Sequence, residues 1–215
     1  MNQHHFFLKE EPGTYPILQL WSQPRVALRA LLDLPWASLA WLIPLAAVAG
    51  IEDVFETQIK NAMGDYESLS GLVIVAVLLG PFWGVLNWLL ESWLFYLAGK
   101  WFKGYPEWRN LLTGVAWSKL PLALVVAVFW IPAILLFGNS MFQTDAEFNL
   151  IQNVIAAFFV ILYFAILIWH FFIISQILAE LNGFSSAWKG FGFYLLGKLM
   201  QWCVLAIVYL PFSLL

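Results

Sequence analysis

Long apolar stretches, separated by short polar connections, occupy most of the chain after residue 33. Apolar side chains surround each stretch instead of following one face, as expected for helices that contact lipid on several sides. A bilayer core about 30 Å thick is crossed by about 20 mostly apolar helical residues. The pattern therefore predicts an all-α, polytopic membrane protein with five transmembrane helices, at about residues 34–51, 71–99, 114–138, 150–178 and 191–213.

The N-terminal arm contains a shorter pattern that predicts a different kind of helix. Pro24 suits the first turn of a helix, and Arg25 and Arg29 then share one face while leucines share another. Such an amphipathic helix is expected to lie in the cytoplasmic membrane interface, as an anchor or as a sensor of a partner or a lipid. The predicted organisation is a cytoplasmic arm followed by a five-helix transmembrane domain, residues 1–33 and 34–215.

Composition supports the membrane assignment. Apolar residues make up 62% of the 215 residues and charged residues 11%, against about 25% charged residues in a typical soluble domain. These values exclude a soluble globular protein and a disordered one. With a net charge of −3 and no basic run, nucleic acid is not an expected partner. Cys203 is the single cysteine, so no disulfide framework is expected.

Basic residues lie almost entirely on one side of the predicted spans. Of the ten lysine and arginine residues, three lie in the arm, four around the second connection between spans and two around the last, which makes nine on the side of the N-terminus. Lys60 lies opposite, together with the acidic residues Glu52, Asp53, Glu56, Asp65, Glu67, Asp145 and Glu147. Because cytoplasmic loops are enriched in lysine and arginine, the N-terminus is predicted in the cytoplasm and the C-terminus outside.

Four segments, taken in order, carry a family resemblance. They are WSQPRVALR at 21–29, YLAGKWFKG at 96–104, WRNLLTGVAWSKLP at 108–121 and LAELNGFSSAWK at 178–189. Over about residues 15–212 this order resembles the YIP family, the Ypt/Rab-interacting-protein domain, in particular its short prokaryotic members. The resemblance implies five spans in the orientation given above. It also implies a multi-pass protein of the cell inner (plasma) membrane, with its C-terminus in the periplasm or the extracellular space.

The resemblance implies a function without catalysis. Eukaryotic members of the family are implicated in vesicle traffic and bind prenylated Rab-type GTPases through a longer cytosolic N-terminal region. The arm of this chain is only about 33 residues long and lacks the Asp-Leu-x-Gly-Pro signature, so GTPase binding is not carried over. What remains implied is a scaffold or adaptor that acts through protein–protein or protein–lipid contacts, in membrane organisation or trafficking. Its expected partners are membrane lipids, further copies of the chain and an unidentified membrane or cytoplasmic protein.

Sequence motifs of soluble enzymes are missing. The chain has no phosphate-binding glycine loop, no His-Glu-x-x-His, no Gly-x-Ser-x-Gly and no pair of cysteines for a metal. His4 and His5 are adjacent near the N-terminus, where such a pair usually binds nothing and where metal ligation is the less favoured alternative. We therefore expect no enzymatic activity, no metal site and no cofactor.

The second predicted span has one face with unusual residues. After Gly80, this face continues with Gly84, Asn87 and Glu91, which follow it by 4, 7 and 11 residues. These spacings place all four residues on one side of a helix. Gly80 and Gly84 have the GxxxG spacing that lets two membrane helices approach closely. We interpret the two glycines as a helix-packing seam, with a functional groove as the alternative.

Glu91 lies inside the second span, nine residues before Lys100, and is therefore about 13 Å deep. A carboxyl group in hydrocarbon costs several kcal/mol unless it is paired, hydrated or protonated. The same arithmetic places Lys198 and His170 at about 10 and 15 Å, in the same layer, with Asn87 and Gln201 deeper. We therefore predict an intramembrane ion pair between Glu91 and Lys198, with His170, Asn87 and Gln201 close by.

This predicted cluster leaves several functions open. It could be a structural clasp, or a polar cavity that binds or passes a small ligand, an ion or a proton. Otherwise the polar side chains of the cluster could each extend separately to the membrane interface, as the long side chain of Lys198 allows. The alternative to a scaffold is thus an oligomeric transporter or channel subunit that uses the polar layer around Glu91, His170 and Lys198. A membrane-embedded enzyme with Glu91 and His170 as acid and base is the weakest of the three hypotheses.

Overall fold

The computed structural model describes residues 16–33, 40–101, 104 and 106–213, with side chains described as far as residue 208. Over these residues the chain is all-helical, without β-strands. Its α-helices are α1 Pro16–Gln19, α2 Pro24–Leu32, α3 Leu42–Lys60, α4 Leu69–Trp101, α5 Trp108–Ser118, α6 Leu120–Val125, α7 Ile131–Phe137, α8 Leu150–Leu181 and α9 Ala187–Ser213. The adjacent histidines His4 and His5 lie outside the described residues.

Four helical segments among the described residues are long and apolar enough to cross a membrane. They are Leu69–Trp101, Trp108–Phe142, Leu150–Leu181 and Ala187–Val208. In chain order, these segments correspond to the second, third, fourth and fifth predicted spans. Each segment extends beyond its predicted span or closely matches it. Their length and composition identify the chain as a membrane protein with transmembrane helices.

The first predicted span differs from the helix that the structure shows. Residues 34–39 lie outside the described residues, and α3 continues past residue 51 as far as Lys60. This extension carries three acidic residues, Glu52, Asp53 and Glu56. Because of these charges, α3 is not among the four apolar segments. The sequence had suggested that these acids lie beyond the membrane. Glu52 is buried within the protein, with 3% exposed, and its carboxylate accepts a hydrogen bond from the Tyr163 hydroxyl at 2.8 Å.

The third apolar segment is not one regular helix. Pro121 lies in the first turn of α6, directly after the turn at Lys119, and proline has no N–H to continue the hydrogen bonds of α5. Further on, a π-helical turn at Val126–Trp130 precedes Pro132, and the Ile131 N–H donates to the Val126 carbonyl, five residues back. The two prolines therefore divide this segment into α5, α6 and α7.

Helices α3 and α4 pack closely because glycines face each other. A Cβ atom on Gly50 would overlap the Gly80 carbonyl oxygen and the backbone of Gly84. A Cβ on Gly84 would likewise overlap the Ala46 carbonyl oxygen. The structure therefore places Gly80 and Gly84 at a helix–helix contact, with α3 of the same chain as the opposing helix.

The arginines of the arm bind the end of α8. Arg25 donates from Nε to the Gln176 side-chain oxygen at 2.6 Å and from Nη1 to the Phe184 carbonyl at 3.1 Å. Arg29 donates from Nε to the Glu180 carboxylate at 2.6 Å, and this hydrogen bond raises the pKa of Arg29 above its ordinary value. Helix α2 also buries apolar residues against the bundle, namely Ala27, Leu28 and Leu31. The arm is thus attached to the transmembrane helices by both polar and apolar contacts.

Replacement of the two arginines should have unequal effects. The Arg25 side chain is 26% exposed and binds two groups, whereas Arg29 is 67% exposed and forms a surface ion pair. Such surface pairs contribute about 0–1 kcal/mol. Arg25→Ala is therefore expected to speed amide hydrogen exchange in residues 24–32 more than Arg29→Ala does. Exchange that is equally fast in both variants, or unchanged in both, would contradict this role of Arg25.

Candidate functional site

Glu91 of α4 binds two lysines inside the helix bundle. Its Oε1 atom lies 2.9 Å from Lys198 Nζ of α9, and its Oε2 atom lies 2.8 Å from Lys119 Nζ. Lys119 comes from the turn between α5 and α6. The exposed fraction is 5% for the Glu91 side chain and 7% for that of Lys119. One carboxylate therefore connects three separate parts of the fold.

Local structure explains how Lys119 reaches the interior. The backbone turns at this residue because α5 ends at Ser118 and Pro121 follows two positions later. Counting residues along a straight third span, which is predicted to begin at about residue 114, places Lys119 nearer the membrane surface than Glu91. The structure places it in the buried cluster instead, and the Ser-Lys-Leu-Pro sequence was the available sign of a break in the helix.

Amide side chains extend the cluster from Lys198 to α3. Lys198 Nζ donates to Gln201 Oε1 at 3.2 Å, and Gln201 Nε2 donates to Asn87 Oδ1. Asn87 Nδ2 in turn donates to Asp53 Oδ2 at 3.2 Å. The structure thus brings together Asn87, Glu91, Lys198 and Gln201, as proposed from their depth. Asp53 was missed, because it was assigned to the far side of the membrane.

His170, which was expected close to the Glu91–Lys198 pair, binds a backbone carbonyl beside it. Its Nδ1–H donates to the Ser118 carbonyl oxygen at 2.8 Å, since a carbonyl can only accept. Ser118 is the last residue of α5, where the carbonyls of a helix lack partners within the helix. His170 therefore fastens α8 to the broken third segment, one residue away from Lys119.

Removal of this hydrogen bond should destabilise the fold moderately. His170→Phe keeps an aromatic ring but leaves the buried Ser118 carbonyl without its donor, at a cost of about 1–3 kcal/mol. Trp169→Phe is a matched control, because the neighbouring tryptophan is 40% exposed. The free energy of unfolding in lipid–detergent micelles is the measurement. Equal losses in both variants would mean that the hydrogen bond is not the cause.

A cleft of about 600 Å³ leads from the cluster to the surface. It lies between α3, α4 and α9, and Asp53, Asn87 and Lys198 are among the residues that line it. An ion pair between Glu56 and Lys60, at 2.8 Å, lies further along α3. The walls carry apolar and aromatic residues, among them Trp83, Phe171, Leu195, Leu199, Trp202 and Leu205.

Charges in the cluster are arranged in a definite order. Lys119 and Lys198 both contact Glu91, so these three residues together carry one excess positive charge. Asp53, at the other end of the amide bridge, carries a negative charge on the cleft side. Over the part of the chain that the structure describes, no group of three histidine, cysteine, aspartate or glutamate residues is arranged to bind a metal. The arrangement suits electrostatic attachment of helices and recognition of a charged group in the cleft.

Comparisons of the chain with protein families, curated proteins and solved structures gave no match. The function is therefore argued from the geometry of the chain itself.

Proposed function

We propose that this protein is a non-enzymatic membrane scaffold or adaptor of the YIP type. In this proposal it acts through protein–protein or protein–lipid contacts, in membrane organisation or trafficking. One observation supports it above others. The buried carboxylate of Glu91 contacts lysines from two other parts of the bundle, so its charge is used to hold helices together.

The proposed topology has five spans, with α3 as the first. Although α3 contains acidic residues, Glu52 is paired with Tyr163 and Asp53 with Asn87. Polar groups that have such partners can remain inside a membrane protein. In the proposal the protein lies in the inner (plasma) membrane of the cell. Because nine of the ten basic residues are on the side of the arm, its N-terminus lies in the cytoplasm.

In this topology α2 lies at the cytoplasmic interface. Its buried leucines face the bundle, and Arg25 and Arg29 bind the cytoplasmic end of α8. The helix then anchors the arm and positions it for contact with a cytoplasmic partner or with lipid headgroups.

Self-association requires a surface other than the glycine seam. Gly80 and Gly84 contact Gly50 of the same chain, so they are not available to a second copy. Helix α8 instead has large apolar side chains on its outer face, including Ile151, Phe158, Ile161, Phe164 and Ile168. In the proposal this face contacts lipid or another copy of the chain.

The proposal is tested by native mass spectrometry of protein extracted gently with its lipids. The expected result is an oligomer of defined size that retains lipid. In parallel, the purified protein in liposomes should give no flux of ions or small solutes above empty liposomes. A purely monomeric protein whose flux disappears in Glu91→Ala would contradict the scaffold.

One observation favours a second candidate, the oligomeric transporter or channel subunit. The cleft exposes Lys198, Asn87 and Gln201, so a polar path leads from the surface to the layer around Glu91. His170 lies beside this layer but is bound to Ser118. Flux that depends on Glu91 and on Lys198 would establish this candidate in place of the scaffold.

A further inference from the structure

The charges that line the cleft between α3, α4 and α9 are not equally satisfied. Glu56 and Lys60 form an ion pair with each other, and Lys198, which also lines the cleft, is paired with Glu91. Asp53 instead accepts a hydrogen bond from the neutral amide of Asn87. Among the described residues, no lysine or arginine nitrogen lies within ion-pair distance of Asp53, and Lys119 and Lys198 act on its carboxylate only from farther away, so Asp53 lacks a contacting cation.

Aromatic side chains line the same cleft as this carboxylate. Trp83 of α4 and Trp202 of α9 line the same cleft as Asp53, and Tyr194 forms part of its floor. Electron-rich faces of aromatic rings attract ammonium groups, and they do so most strongly next to a carboxylate that is shielded from water. Asp53 and the aromatic walls therefore suit a ligand with an ammonium group.

The cleft is continuous with the lipid-facing surface of α9. Leu199 and Trp202 line the cleft and are also 56% and 71% exposed. A ligand can thus keep apolar chains along α9 while its polar end lies between the helices. A volume of about 600 Å³ is within the range of about 300–1,000 Å³ of small-molecule sites, enough for a headgroup and the adjoining part of its chains.

We propose that this cleft binds the ammonium headgroup of a membrane phospholipid, with Asp53 as its counter-ion. The ammonium group contacts Asp53 and the tryptophan rings. The phosphate lies toward the mouth of the cleft, where Lys60 is seven residues along α3 from Asp53, or about 10 Å. The Lys60 side chain is 65% exposed and can contact the phosphate. A zwitterionic headgroup matches the separation along α3 between the carboxylate of Asp53 and the ammonium group of Lys60, while Lys198 remains paired with Glu91.

This inference rests on the protein–lipid contacts of the proposed function, and its test is separate from the flux measurement. Purified, delipidated protein is titrated with phosphatidylethanolamine, with phosphatidylglycerol of the same acyl chains, and with free ethanolamine. Native mass spectrometry counts the bound molecules. The expected result is at least tenfold tighter binding of phosphatidylethanolamine than of phosphatidylglycerol. Free ethanolamine that binds as tightly as the lipid would identify a soluble amine as the ligand and overturn the lipid proposal.

A matched pair of variants locates the site. Asp53→Asn keeps the size of the side chain and an oxygen for Asn87, but it removes the charge, so phosphatidylethanolamine binding should weaken about tenfold. Glu67→Gln removes an exposed carboxylate of a residue that does not line the cleft and should change binding less than twofold. Equal effects of the two variants would overturn the role of Asp53.

The lipid comparison on the unaltered protein remains decisive if Asp53→Asn does not fold. Equal affinity of the unaltered protein for phosphatidylethanolamine and phosphatidylglycerol would then reject the site. Because liposome flux is not part of this measurement, failure of the lipid site would leave the scaffold proposal unaffected.

Discussion

Glu91→Gln is expected to lower the free energy of unfolding by about 3–5 kcal/mol, because it leaves buried lysines without their counter-ion. Lys119 is the more affected of the two, since its side chain is 7% exposed against 28% for Lys198. Lys119 is not among the residues that line the cleft, whereas Lys198 is. Reversible unfolding of the purified protein in mixed micelles measures this loss.

Exchange of the charges of Glu91 and Lys198 distinguishes an ion pair between them from a general requirement for glutamate at position 91. Glu91→Lys places a third positive charge in the cluster and should be more destabilising than Glu91→Gln. Addition of Lys198→Glu should restore part of the stability, because opposite charges face each other again. No recovery in the double variant would argue against the pair.

Apolar replacement of all three charges tests whether the cluster is structural. Removal of a whole buried ionic group, with side chains of similar volume, is often neutral or stabilising. Glu91→Met, Lys119→Met and Lys198→Met combined should therefore be more stable than Glu91→Gln alone. A scaffold should retain its oligomeric state in this variant, while a transporter that uses the polar layer should lose its flux.

The glycine seam supports the second large prediction. Gly50→Ala and Gly84→Ala should each destabilise the protein by about 3 kcal/mol, because the added methyl group meets backbone atoms that cannot move independently. Gly192→Ala is the control, since no atom outside its own helix segment lies within 4 Å of the added methyl group. It should be neutral or slightly stabilising, as alanine is a better helix former than glycine. Similar losses in all three variants would contradict close packing at the seam.

Much of the membrane architecture was predictable from the sequence. The bilayer requires long apolar segments, so the second to fifth spans were evident from length and hydropathy. The partnership of Glu91 and Lys198 followed from counting residues inward from the helix ends, because a helix has a constant rise. The close packing of Gly80 and Gly84 followed from their spacing.

Other features could not be derived by the same reasoning. Asp53 and Glu52 were assigned to the outer side, because hydropathy treats every acid as exposed and ignores partners such as Asn87 and Tyr163. Gly50 follows Ala46 by four residues, a small-xxx-small spacing that is less specific than GxxxG, and its contact with α4 was not predicted. Depth counting also assumed a straight third span, which placed Lys119 too close to the surface.

The most direct test of this account is a pair of double-mutant cycles that join Glu91 to Lys119 and to Lys198. The cycles use Glu91→Gln, Lys119→Met and Lys198→Met, singly and in the two pairs, with unfolding free energies measured under one condition. Residues in direct contact show interaction energies of about 0.5–3 kcal/mol, whereas independent residues show additive effects. The account predicts favourable coupling of Glu91 with both lysines, and the larger value with Lys119. Additive losses in both cycles would contradict it.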